Sequence, residues 1–171
     1  ALMRATAGIW QQGSGRIVRP GFDGILFLPE RPYLPPGTLR EVLLPIRREG
    51  AVGDEQIAIV VRSLDLDSVL DRVGGLNVER DWGDVLSLSE QQLVCAARVI
   101  LAAPRFVFLE RPHAALGAAH AERVLRLLTE RSITYLTLGG GGDEPDDYDA
   151  VLELLDDGRW AWKANAARRC E

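Results

Sequence analysis

The chain is nearly devoid of lysine: of its 20 basic residues only Lys163 is one, and the rest are arginine. A phosphate-cradling GxxxxGK[ST] loop needs a lysine near the phosphates, and Lys163 lies in a C-terminal stretch with no such pattern around it. Cysteine is almost as scarce. Cys95 and Cys170 stand far apart with no CxxC spacing, so neither a zinc site nor a disulfide framework is suggested, and a reducing, cytosolic setting is the default. No window holds eighteen uncharged apolar residues, and ALMRATAGIW lacks the basic start and long apolar stretch of a signal peptide; no membrane span or leader is expected. Positive charge is not in excess either. With 25 acidic residues the formal net charge is -5, which argues against phosphate-backbone binding, and nucleic acid is not expected as a partner.

What is present suffices for a globular domain. In 171 residues, 47% hydrophobic content is enough to bury a core, and the length fits one domain with a subdomain. Leu2 to Trp10 reads as the end of a helix, followed by the turn-rich QQGSGR and a short β stretch at Arg16 to Val18. GILFL at 24 to 28 reads as a buried strand ended by Pro29. Thr38, with Glu41 three residues on, reads as a helix N-cap with a capping box. From Asp54 to Leu70 the apolar spacing predicts two short helices broken near Leu64 to Leu66, followed by a loop through GGLNVERDWGDV. Ser87 or Ser89 can cap the next helix, apolar at Leu93, Val94, Ala97, Ile100 and Leu101 and stopped by Pro104. FVFL predicts a strand, His113 to Glu130 a helix, ITYLTL a strand, and VLELLDDGRWAWKA a hairpin around Asp-Gly. Strands alternating with helices predict an α/β fold with a mainly parallel sheet, interrupted by a helical stretch.

Three blocks in a fixed order, LFLPERPYLPPGTLREVLL, DWGDVLSLSEQQLVCAARVILAAPRFVFLERPHAAL and LGGGGDEPDDYDAVLELLDDGRW, resemble the nucleotide-binding domain of an ABC transporter. They are most similar to the group that includes peroxisomal acyl-CoA, vitamin B12 and bacterial peptide transporters. ALMRATAGIW also resembles the residues that follow GK[ST] in that family. The resemblance implies a P-loop NTPase-like core at residues 1–42 and 98–171, with a helical subdomain over 43–97. It implies ATP and Mg²⁺ as ligands, a transmembrane domain as partner, and a second ABC domain in a head-to-tail dimer. The implied location is the cytoplasmic side of a membrane.

Carried onto this sequence, the family's site positions are mostly substituted. Glu30 stands at the Q-loop glutamine, either as a magnesium ligand or as a solvated loop carboxylate. Ser87 and Glu90 match the signature, whereas Ser89 replaces a glycine and Leu93 an arginine; a plain capped helix and a residual phosphate contact both fit. Glu110 stands at the Walker B aspartate, where a glutamate can still ligate magnesium although its extra methylene displaces the oxygen, and Arg111 stands at the general base. A guanidinium does not deprotonate near neutral pH, so Arg111 cannot take a proton from an attacking water. Gly117 stands at the D-loop aspartate and Asp143 at the switch histidine. The run GGGG before Asp143 is followed by carboxylates rather than a lysine, so it reads as a strand-to-loop link. His113 and His120 read as ordinary surface histidines of one helix. A dinucleotide-binding fold using Gly13 to Gly15 or the later glycine run is a poor match and is set aside, because no G-x-G-x-x-G follows a strand and opens a helix. Two functions remain: a degenerate ABC domain that keeps its framework but not hydrolysis, and an active ABC ATPase whose P-loop lies upstream.

Overall fold

The computed structural model describes residues 2–10, 12–44, 52–139, 145–155 and 157–165. The chain divides into two compact units, Ala1–Gly139 and Gly140–Glu171. In chain order the first contains α1 (Leu2–Thr6), β1 (Ile25–Leu28), β2 (Gly37–Thr38), α2 (Leu39–Leu43), α3 (Asp54–Ser63) and α4 (Asp67–Val73). It continues with β3 (Glu79–Arg80), α5 (Trp82–Val85), α6 (Leu88–Ala102), β4 (Phe106–Glu110), α7 (Pro112–Leu116), α8 (Ala118–Glu130) and β5 (Thr134–Leu138).

The expected parallel sheet is present as three strands in the order β1-β4-β5. Its registers place Leu28 beside Leu109 and Glu110 beside Leu138. β4 is central, and Val107, Phe108 and Leu109 are all buried, which is why this strand reads as an unbroken apolar run. Phe27 and Phe108 stack across the strand pair at 5.4 Å. One apolar cluster runs from the sheet through α2, α3, α4, α6 and α8.

Local chemistry fixes the helix ends. The Thr38 hydroxyl accepts from the Glu41 N–H while the Glu41 carboxylate accepts from the Thr38 N–H, which completes the predicted capping box. The two helices expected over Asp54 to Leu70 form as α3 and α4, on either side of a turn at Leu64 to Leu66. α6 ends at Ala102, where Ala103 turns left-handed (φ 43°) ahead of Pro104.

Three expectations are corrected. Arg16 to Val18 forms no strand and is exposed, because β-prone residues without a pairing edge gain no ladder hydrogen bonds. The stretch read as a loop at 74–85 holds both β3, paired antiparallel with β2, and α5. The helix predicted over His113 to Glu130 is two helices, α7 and α8, parted at Gly117, so His113 and His120 do not share one.

In the second unit, β6 (Ala150–Leu154) and β7 (Trp160–Ala164) form the predicted hairpin, with Leu152 opposite Trp162. Gly158 takes φ 83° in its turn, as a tight Asp-Gly connection requires. Lys163 pairs with Glu153 at 2.6 Å.

Candidate functional site

β1 and β4 run parallel, so their C-terminal ends open on the same side of the sheet, where α/β folds place ligand sites. Glu30 lies two residues beyond β1, and Glu110 closes β4. The Glu30 backbone N–H donates to Glu110 Oε2 at 3.2 Å, tying the two strand ends together. Arg111 follows in the left-handed conformation (φ 49°, ψ 54°), and its N–H donates to Leu138 O at 3.3 Å, at the end of β5. Its guanidinium Nη1 stands 3.6 Å from Glu30 Oε2. With side chains 51% and 37% exposed, this ion pair contributes at most about 1 kcal/mol. Glu30, Glu110 and Arg111, three residues singled out in sequence, are therefore brought together as two carboxylates and one guanidinium.

Sequence reasoning missed a fourth member, Gln92 on α6. It is 2% exposed, and its amide Nε2 donates to Pro29 O at 2.9 Å and to Glu30 O. A signal was available: Gln92 lies four and seven residues before Ala96 and Val99, on a face that is otherwise buried and apolar.

At the start of α6, Ser87 is the N-cap, which resolves the choice between Ser87 and Ser89. The Ser87 hydroxyl accepts from the Glu90 N–H, and Glu90 Oε2 accepts from the Ser87 N–H at 2.8 Å. Ser89 sits apart from the cap and donates its hydroxyl to Ala115 O in α7 at 3.4 Å. Glu90 also pairs with Arg72 of α4. Burial pushes the Glu90 carboxyl up, but the Ser87 N–H, the Ser87 hydroxyl and the Arg72 guanidinium outweigh it and hold the group below its ordinary range. A lowered folded pKa stabilises the protein above the unfolded value, and this contribution fades as pH falls through the folded one. Ser87→Ala is expected to cost about 1 kcal/mol at neutral pH. Urea midpoints should show that cost shrinking below the ordinary carboxylate range; a cost independent of pH would sink the assignment.

Gly117 lies between α7 and α8 at φ 75° and ψ 161°, a backbone region almost reserved for glycine. An added Cβ there would meet no atom within 4 Å. The bar to a side chain, including the aspartate of the family pattern, is therefore conformational. Asp143 lies outside the described residues, as do Gly140 to Gly142 and Cys170. Among the described residues no group of three His, Cys, Asp or Glu side chains is placed to hold a metal ion.

No family model matches the chain. Among curated proteins it is 34% identical over 160 residues to an uncharacterized ABC transporter ATP-binding protein of Synechocystis, a match covering 94% of this chain and 24% of that protein. It is 31% identical over 170 residues to the mouse lysosomal cobalamin transporter ABCD4, covering 94% of this chain and 28% of the relative. A match to ABC transporter D family member 1 of Arabidopsis thaliana is also 31% identical over 170 residues, with 94% and 13% covered. The chain spans between 13% and 28% of the length of these relatives. Three blocks of sequence and matches along 94% of its length make this chain a relative of the ATP-binding proteins of ABC transporters, the D family among them.

Proposed function

We propose that the chain is part of the nucleotide-binding domain of an ABC transporter, with residues 1–42 and 98–171 contributing to the core and 43–97 forming the helical subdomain, and that its own strand-end site has lost hydrolysis. The relatives' names carry ATP binding and transport. Support for the loss comes from Arg111, which stands at the general-base position by the family resemblance and whose guanidinium faces Glu30. Removing a positioned proton acceptor typically costs about 10²- to 10⁴-fold in rate.

The residues of this chain do not fit a hydrolytic magnesium–ATP site. Glu110 accepts the Glu30 N–H, Glu30 faces a guanidinium, and Lys163 is paired with Glu153. Ser87 and Glu90 satisfy each other in a capping box, and Ser89 is turned to Ala115. On this reading Gly117 and Asp143 complete a set of altered contact positions, while the buried framework is kept for pairing. The partners are a transmembrane domain at the cytoplasmic side of a membrane and a second ABC domain placed head to tail. No helix of the described residues is long and apolar enough to cross a membrane.

The purified chain is expected to give no binding heat with Mg–ATP at micromolar concentrations and no phosphate release above background. Micromolar binding or turnover would overturn the proposal. Hydrolysis by a longer polypeptide that carries this chain and an upstream GK[ST] would favour the active ATPase instead, provided Arg111→Ala left its rate unchanged.

A further inference from the structure

We infer that Gln92 is a positioning residue that holds the Glu30 backbone in place against Glu110 and Arg111. Gln92 and Thr6 are the buried polar side chains among the described residues, and Gln92 is the deeper of the two. A buried primary amide is costly unless its hydrogens are bonded. Here the two hydrogens of Nε2 are directed at the carbonyls of consecutive residues, Pro29 and Glu30.

The opposite side of the same peptide segment is held by β4, since the Glu30 N–H donates to Glu110. The Glu30 backbone is thus fixed at its N–H by one element and at its C=O by another, while its side chain faces Arg111. Gln92 lies five residues into the helix that Ser87 caps. One amide therefore joins the helix whose start carries the Ser87–Glu90 box to the loop that carries the Glu30 carboxylate. Were Gln92 there only to fill space, an apolar side chain of the same length would replace it with no local consequence.

The inference goes beyond the loss of hydrolysis and is tested without nucleotide, so the failure of one leaves the other standing. In Gln92→Met the length is kept and both donors are lost, leaving two carbonyls without their partner. Hydrogen exchange followed by NMR is expected to show the Glu30 amide exchanging about tenfold faster or more, since an unmet buried hydrogen bond is worth enough for such a factor. The Val107 and Leu109 amides of β4 should keep their protection. An unchanged Glu30 rate, or equal acceleration of all three, would overturn the assignment. If the variant does not fold, the unmodified chain still decides. Scalar couplings across the hydrogen bonds, from the Gln92 side-chain amide to the carbonyl carbons of Pro29 and Glu30, are expected, and their absence would overturn it.

Discussion

Trp82→Ala is expected to destabilise the chain by about 3 to 5 kcal/mol, the range for deleting a large buried aromatic ring. Trp82 opens α5 after the Asp81 cap, is completely buried, and belongs to the apolar cluster shared by the sheet and the helices of the first unit. Trp82→Phe should behave differently. The indole Nε1 is buried with no hydrogen-bond partner among the described residues, and an unpaired buried donor costs about 1 to 3 kcal/mol. Phenylalanine removes that cost while giving up part of the ring volume, so the two effects oppose and the net change should lie within about 1 kcal/mol. Urea denaturation of the three proteins measures both shifts. Equal losses for Phe and Ala would mean that the indole N–H does have a partner.

The buried position of Trp82 illustrates where sequence reading stops. The apolar run FVFL announces a strand because a strand covered on both faces has no polar positions to interrupt it, whereas ITYLTL, only partly covered in the fold, is legible from its β-prone residues. GGLNVERDWGDV carries no such period, yet it packs a two-residue strand and a four-residue helix around the largest of the fully buried side chains. Elements that short are held by tertiary contacts rather than propensity. The Ser87 and Ser89 ambiguity has a similar origin. Each serine has Glu or Gln three residues later, so both fit the capping box, and only burial of Gln92 assigns that amide to the Pro29–Glu30 loop and leaves Glu90 to Ser87. The substituted positions were legible one by one from the family resemblance. Their geometry was not, because Glu30 and Glu110 are eighty residues apart in sequence and meet only through the parallel register of β1 and β4. Arg111 facing Glu30 depends in turn on a positive φ that no sequence pattern demands of an arginine.

Cys95 supplies the second large effect, and it also tests what the first one means. Burial pushes its thiol up to about 11 from an ordinary 9.0, only partly opposed by Arg98. The thiolate is the nucleophile, so at about pH 8 a two-unit rise cuts its population roughly a hundredfold. In a Cys170→Ser background, alkylation of Cys95 is expected to run at least that much slower than alkylation of the urea-unfolded chain at the same pH. Two routes to labelling can be told apart. Cys95 lines a cavity of about 260 Å³ with Leu26, Pro32, Tyr33, Arg98 and Val99, and a local opening there would expose the thiol without unfolding. Were opening global, the labelling rate would follow the unfolded population, and the loss of about 3 to 5 kcal/mol in Trp82→Ala would raise it by roughly two to four orders of magnitude. Global opening is the expected route, because Cys95 is only 8% exposed and shares one core cluster with Trp82. A rate unmoved by Trp82→Ala would instead place the weak point between β1 and α6, on the helix that Gln92 joins to Glu30.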